Sequence, residues 1–346
     1  MNIDIVIPKL ETGGAEVSAS KVYKILSHNF PGVRLVELDA LTKKKCDSKL
    51  VNKSRFLRVL LKLYTIRNSI KENETRIVIC FMEHISIQYF LALIGYPIKI
   101  ISCERSNPFF KDKSIFGKIL TKIVYRNSEL VIVQTKRLQE KLQDLWGLNN
   151  VQVIPNVKPY VMNKIKVSKQ ATKIVAVSRI IATKNLKTLI LAGTNYLKDD
   201  CQLLIYGDGP EKHKIENIIS TLDLSEKVKI ISGITDKDRI FSDADIFVSL
   251  STVEGMSNSL LEAASFGIPC IAYDCDYGAR EILDNGSAGI LLQTLDTAEV
   301  SKSVNLLKND VKLRQLYSNK AYAHTMNNFN SDLISALWCR IVEQIQ

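Results

Sequence analysis

Two acids with seven residues between them carry the most chemical information in this chain. Glu254 and Glu262 bracket Gly255-Met256-Ser257-Asn258-Ser259-Leu260-Leu261. The run follows a strand-like stretch, Asp245 to Leu250, and opens a helix-like one. The first carboxylate then falls in a loop and the second two turns into the helix. The amides of Met256 to Ser259 lie at that helix start, where unpaired N–H groups and partial positive charge attract an anion by ~0.3–1 kcal/mol at exposed sites. A phosphate cradle with an acid on either side suits a phosphate flanked by two polyols. A nucleotide sugar has that shape.

Other short motifs occur in a fixed order. They are Gly13-Gly14-Ala15-Glu16, Val177-Ser178-Arg179 with Lys184, Gly207-Asp208-Gly209-Pro210, Gly267-Ile268-Pro269, Gly278 to Ile282 and Gly286 to Leu291. Each alone is a common turn. Together with the Glu-x7-Glu string, at these distances, the set resembles the retaining glycosyltransferases of GT-B fold in family 4 (glycosyl transferases group 1), among them bacterial polysaccharide-assembly enzymes. The likeness covers almost the full chain.

The resemblance implies roles. Sugar transfer must strip a nucleoside diphosphate from an anomeric carbon, so negative charge grows on the leaving group and needs fixed cations and N–H dipoles. Arg179 and Lys184 are placed on the donor diphosphate, and with Glu254 they form the expected catalytic set. Glu262 takes the ribose hydroxyls, while Glu254 faces the donor sugar. Gly255, Met256, Ser257, Asn258 and Ser259 supply amides and small polar groups. Gly13 and Gly14 let backbone approach a phosphate, Gly207 shapes the wall near the base, and Gly233 lies in the stretch that holds the base. Many relatives carry a histidine at a middle strand exit of the first domain. Here that exit reads Cys103-Glu104-Arg105-Ser106, so Glu104 and Arg105, with His84 at an earlier exit, are the expected acceptor contacts.

The implied reaction moves a hexose or N-acetylhexosamine from a nucleotide diphosphate, with UDP favoured, to a lipid-linked saccharide or surface polysaccharide, with retention and no metal or other cofactor. Asp243-Ala244-Asp245 and Asp274-Cys275-Asp276 read as incidental, and no residue cluster has zinc spacing. An epimerase or phosphorylase on the same architecture is the enzymatic alternative. A basic nucleic-acid-binding module is the non-enzymatic one; it would leave Arg179, Lys184 and Glu262 without a role.

The elements that must position these residues alternate between strand-like and helix-like along 346 residues, enough for two domains. Strands are expected near 3–8, 33–38, 76–81, 98–103, 129–134 and 151–154, and near 173–178, 201–206, 227–231, 245–250, 269–273 and 288–292. The expected helices include 54–70, 257–266 and one long helix over 297–325. The fold class is α/β: two doubly wound Rossmann-like domains facing a central cleft. Residues 1–157 with 332–346 form the acceptor domain, 173–331 the donor domain, and 158–172 a linker. The resemblance sends the last helix back onto the first domain. The motifs fall at strand exits, where open parallel sheets bind ligands.

The net charge of +11 resides wholly in the first half: residues 1–157 hold 25 lysines and arginines against 14 acids, and the remainder is balanced. That asymmetry calls for an anionic partner. Ser54 to Ile70 interleaves apolar residues with Arg55, Arg58, Lys62 and Arg67, and Phe109-Phe110 lies beside Lys111 and Lys113. Both read as contacts with an anionic membrane surface. The seven scattered cysteines read as reduced thiols. Residues 2–8 read as a buried strand rather than a signal peptide, and Ile85 to Ile101 is interrupted by Gly95, Pro97 and Lys99. The expected location is cytoplasmic, on the inner face of the plasma membrane.

Overall fold

The computed structural model describes residues 2–9, 14–46, 55–109, 114–161, 164–169, 172–198, 201–242 and 244–346. The chain forms two units: Met1–Val157 with Ser331–Gln346, and Lys158–Asn330.

In the first unit, runs of Ile, Val and Cys buried on both faces make parallel strands. β1 (Asn2–Ile7), β2 (Val33–Glu37), β3 (Thr75–Phe81), β4 (Lys99–Cys103), β5 (Leu130–Val133) and β6 (Val151–Val153) pair in parallel, in the order β2-β1-β3-β4-β5-β6. Strand order reverses between β1 and β3. One face packs Ile3, Ile5, Ile7, Ile77, Ile79 and Phe81 against helices Gly14–Asn29 and Ser331–Ile345. The other packs Val6, Val78 and Cys80 against helices Arg55–Glu72 and Glu83–Ala92. The last helix therefore returns to the first unit. Trp338 stacks on Phe81 with ring centroids 6.4 Å apart, and Lys99 Nζ donates to the carbonyl of Ile345.

The second unit repeats the plan. β7 (Lys173–Val177), β8 (Gln202–Tyr206), β9 (Val228–Ile231), β10 (Ile246–Ser249), β11 (Cys270–Tyr273) and β12 (Ile290–Leu292) are parallel in the order β12-β11-β10-β7-β8-β9. Here the order reverses between β7 and β10. Two Rossmann-like sheets with this final helix constitute a GT-B fold.

Within the segment expected as a linker, 158–172, the Ile165 amide donates to the Phe266 carbonyl at 2.9 Å. Two local expectations change. The long helix over 297–325 is two, Thr297–Asn309 and Val311–Asn328, because Asp310 leaves helical geometry and caps the second through the Leu313 amide at 2.9 Å. Helices Leu38–Cys46 and Lys237–Phe241 were not expected; neither carries a strong apolar stripe.

Candidate functional site

The reversal between β7 and β10 makes the exits of those strands neighbours, and a crevice at such a reversal is where open α/β sheets bind ligands. Backbone bonds join the exits. The Thr252 amide, beyond β10, donates to the Thr183 carbonyl, beyond β7, at 2.8 Å. The Ser178 amide bonds Tyr206, the Ile180 amide bonds Asp208 at 2.8 Å, and the Gly207 amide bonds Ile231 at 3.0 Å. Ser232 Oγ donates to the Gly207 carbonyl at 3.0 Å, tying the β9 exit to that of β8. Gly207 is required by this proximity: a Cβ there would stand 1.9 Å from the Ser178 carbonyl oxygen.

The charged residues sit on this stitched edge. Lys184 ends a single 3-10 turn, Ala182–Lys184, and its ammonium pairs with the Glu254 carboxylate. Both side chains are largely enclosed, at 18% and 16% exposure. Arg179 is exposed and has no ion-pair partner among the described residues. Glu262 lies within helix Asn258–Ser265, and its carboxylate pairs with Lys237 at 2.9 Å. Lys237 opens the short helix after β9, which Asp236 caps by accepting from the amides of Asp238 and Arg239. Gly233 has φ +80 and open space around it.

Helix Asn258–Ser265 starts where Ser257 accepts from the Leu260 amide at 3.4 Å. The Ser259 amide, one step nearer the Glu254 loop, takes no hydrogen bond among the described residues. Gly278 presses on this loop. At φ +90, its added Cβ would lie 2.7 Å from Met256 Cα and 3.0 Å from the Gly255 carbonyl oxygen. The Gly278 position thus fixes the height of Gly255 and Met256.

In the first unit, Gly14 begins helix Gly14–Asn29, while Gly13 lies outside the described residues. His84 is exposed at the start of helix Glu83–Ala92. Desolvation holds its imidazole below the ordinary value, against the pull of Glu83, Asp39 and Glu16. Glu104, by contrast, is 1% exposed. It accepts from the Ser106 amide and hydroxyl and from the Tyr125 phenol, each at 2.8 Å. Burial, with Glu104 next, pushes the Tyr125 phenol well above its usual range. The Arg105 guanidinium lies 4.6 Å over the Phe81 ring and donates to Asn156 Oδ1 at 3.1 Å. The same oxygen accepts from Gln134 at 2.7 Å and Ser18 at 3.1 Å. Sequence reasoning missed this hub. Asn156 is a buried amide just beyond β6, and its only sequence signal is a polar residue closing an apolar strand.

The two Asp-x-Asp strings are occupied structurally where they are described. Asp245 accepts from the Thr172 and Lys173 amides at 2.8 Å, and Asp274 pairs with Arg280. Asp243 lies outside the described residues. Among the described residues no group of three or more His, Cys, Asp or Glu could hold a metal ion.

Known proteins resemble the chain in sequence and in fold. Residues 157–324 match the family described as glycosyl transferases group 1. The chain is 25% identical over 338 residues to the amylovoran biosynthesis glycosyltransferase AmsD of Erwinia amylovora, covering 94% of this chain and 95% of that protein. It is 21% identical over 364 residues to a Campylobacter jejuni α-1,4-N-acetyl-D-galactosaminyltransferase whose name gives a saccharide on PP-undecaprenol as its substrate, covering 100% and 99%. The crystal structure of Anabaena HepE with UDP and glucose superposes with a TM-score of 0.80 at 16% identity, over 99% of this chain and 100% of that one. Some matches are longer proteins: the chain spans 58% of the length of Staphylococcus aureus TarM.

Proposed function

Starting from a chain that is a glycosyltransferase of GT-B fold related to glycosyl transferases group 1, we propose that it transfers a hexose or N-acetylhexosamine from a UDP-sugar to a lipid-linked saccharide or growing surface polysaccharide, with retention of anomeric configuration. The observation that carries the reading is the meeting of Lys184 and Glu254 at the sheet reversal, with exposed Arg179 beside Lys184 in sequence and Glu262 behind the same loop.

In this reading Arg179 and Lys184 take the leaving diphosphate. Fixed cations placed where charge develops are worth roughly 3–4 kcal/mol each at the transition state, by analogy with single oxyanion-hole donors. The Ser259 amide adds a helix N-terminal donor. Glu262 accepts the ribose hydroxyls, and charge-assisted bonds of this kind contribute about 1.5–3 kcal/mol. Glu254, released from Lys184 by the diphosphate, turns to the donor sugar. The departing diphosphate oxygen accepts the proton of the acceptor hydroxyl as that hydroxyl attacks from the same face of the sugar.

His84 is assigned to the acceptor. Glu104, enclosed as it is, positions the β4 exit, and the half-buried Arg105 is assigned to the acceptor with His84. Gly14 is assigned to a donor phosphate. The charge surplus of the first unit supports work at an anionic membrane surface, on its cytoplasmic side. No helix among the described residues is long and apolar enough to cross a membrane.

Calorimetry with UDP and UDP-sugars in metal-free buffer tests the assignment. Wild type binds, and Glu262→Ala loses binding by about tenfold or more. Equal affinity in the two proteins would remove the ribose role. Incubation with donor alone separates the rival enzymes, since an epimerase returns isomerised donor.

A further inference from the structure

Helix Ile115–Arg126, between β4 and β5, turns the wrong face to solvent. Its buried residues are Thr121, Val124 and Tyr125. Its large apolar residues point outward: Ile115 is 79% exposed, Phe116 76%, Ile119 52% and Ile123 45%. At 100° per residue these four fall within one arc of about 100°, opposite the buried side. Lys118 and Lys122 flank one side of that arc, Arg126 lies at the end of the helix within it, and the helix contains no acid. A surface helix that stabilised only its own unit would show the reverse arrangement.

The feature continues across the unit. Helix Arg55–Glu72 packs on Glu83–Ala92, which packs on Ile115–Arg126. Helix Arg55–Glu72 exposes Val59 at 48%, Leu60 at 45% and Tyr64 at 58%. In a parallel sheet each connecting helix starts at the carboxyl edge of the strands. Ile115, Phe116, Val59 and Leu60 all belong to the first halves of their helices, so they lie toward the edge that carries His84 and Arg105. Phe109, expected from the sequence to join this surface, packs instead on Trp146 with centroids 4.9 Å apart; Phe110, Lys111 and Lys113 lie outside the described residues.

We infer that helix Ile115–Arg126 is the element that inserts into an anionic lipid bilayer, with Val59, Leu60 and Tyr64 as a second contact. Large apolar side chains bordered by cations, without acids, match the boundary between acyl chains and anionic headgroups. The inference rests on the proposed membrane acceptor and specifies how the acceptor edge meets its substrate: the bilayer contact lies beside the strand exits, so a lipid-linked saccharide need not leave its leaflet.

Co-sedimentation with vesicles of phosphatidylcholine, with and without 30 mol% phosphatidylglycerol (about one lipid in three), tests it at low and high salt. Wild type pellets with the anionic vesicles, and both Phe116→Ser/Ile119→Ser and Lys118→Glu/Lys122→Glu lose at least about tenfold in partitioning. The circular dichroism spectrum and the unfolding transition are unchanged in both variants, which shows the first unit folded. Wild-type pelleting by the variants would overturn the inference. So would a wild-type dimer, seen by light scattering, that Phe116→Ser/Ile119→Ser converts to monomer, since the face would then belong to a second copy. Failure of wild type to bind any UDP-sugar would instead strike the proposed reaction and leave the vesicle result standing.

Discussion

Lys237 opens the short helix after β9 with its ammonium against Glu262. Nothing in Asp236-Lys237-Asp238 distinguishes it from a solvated turn, yet it pairs with the Glu262 carboxylate at 2.9 Å. A carboxylate has room for several donors, so the ammonium can stay while ribose hydroxyls approach from the other side. Lys237→Met is expected to weaken UDP about three- to tenfold, near 1 kcal/mol for a partly exposed pair, and calorimetry reads this directly. Lys184→Met should lower kcat/KM by about 10²–10³ and spare global stability, because its loss removes charge where it develops. Gly207→Ala tests geometry instead. Its methyl would overlap the Ser178 carbonyl, so the β7 exit must shift at a cost of about 1–3 kcal/mol, read by urea unfolding, with donor affinity falling alongside. The Glu-x7-Glu string and Arg179/Lys184 were legible because their chemistry depends on local spacing. Enclosure of Glu104 was not, because it comes from Tyr125 on a separate helix.

At the level of elements, strands were the most legible parts. Runs such as Ile77-Val78-Ile79-Cys80-Phe81 are apolar on both faces, as a central parallel strand buried on both sides requires. The break at Asp310 was hidden because apolar periodicity continues on both sides of it. Arg314 shows why that break matters. It is fully buried and donates to the Leu307 and Lys308 carbonyls at 2.5 and 2.7 Å, and to the Ser168 and Lys169 carbonyls at 3.0 Å. One guanidinium therefore closes the end of helix Thr297–Asn309 and fastens the segment that the sequence suggested was a free linker. Arg314→Met should destabilise the second unit by about 3–5 kcal/mol, since it strands buried carbonyls, and differential scanning calorimetry would show a lowered transition.

Across the whole molecule, thiol chemistry offers a probe. Burial pushes the Cys103 and Cys275 thiols up to about 12, and Cys80, Cys201 and Cys270 are buried as well. Alkylation at pH 8, localised by mass spectrometry, should label Cys339 before any of the buried five, which it reaches only after denaturant. Prompt labelling of Cys103 in the native protein would contradict the packing of β4. Fold class was readable at this scale because alternation of elements and the position of glycine turns survive without any tertiary knowledge. Which helices leave apolar side chains uncovered was not, since helix Ile115–Arg126 has the pattern of an ordinary packed helix with its stripe turned outward.

The return of helix Ser331–Ile345 to the first sheet has a consequence for biosynthesis. The hydrophobic face that receives Trp338, Ile341 and Val342 is made early, but its cover is translated after the entire second unit. Until then a nascent chain holds a sheet face covered only in part, by helix Gly14–Asn29, and exposed apolar surface of this kind is prone to aggregate. A fragment ending at Val157 should therefore aggregate, and a separately supplied peptide spanning 331–346 should restore its solubility.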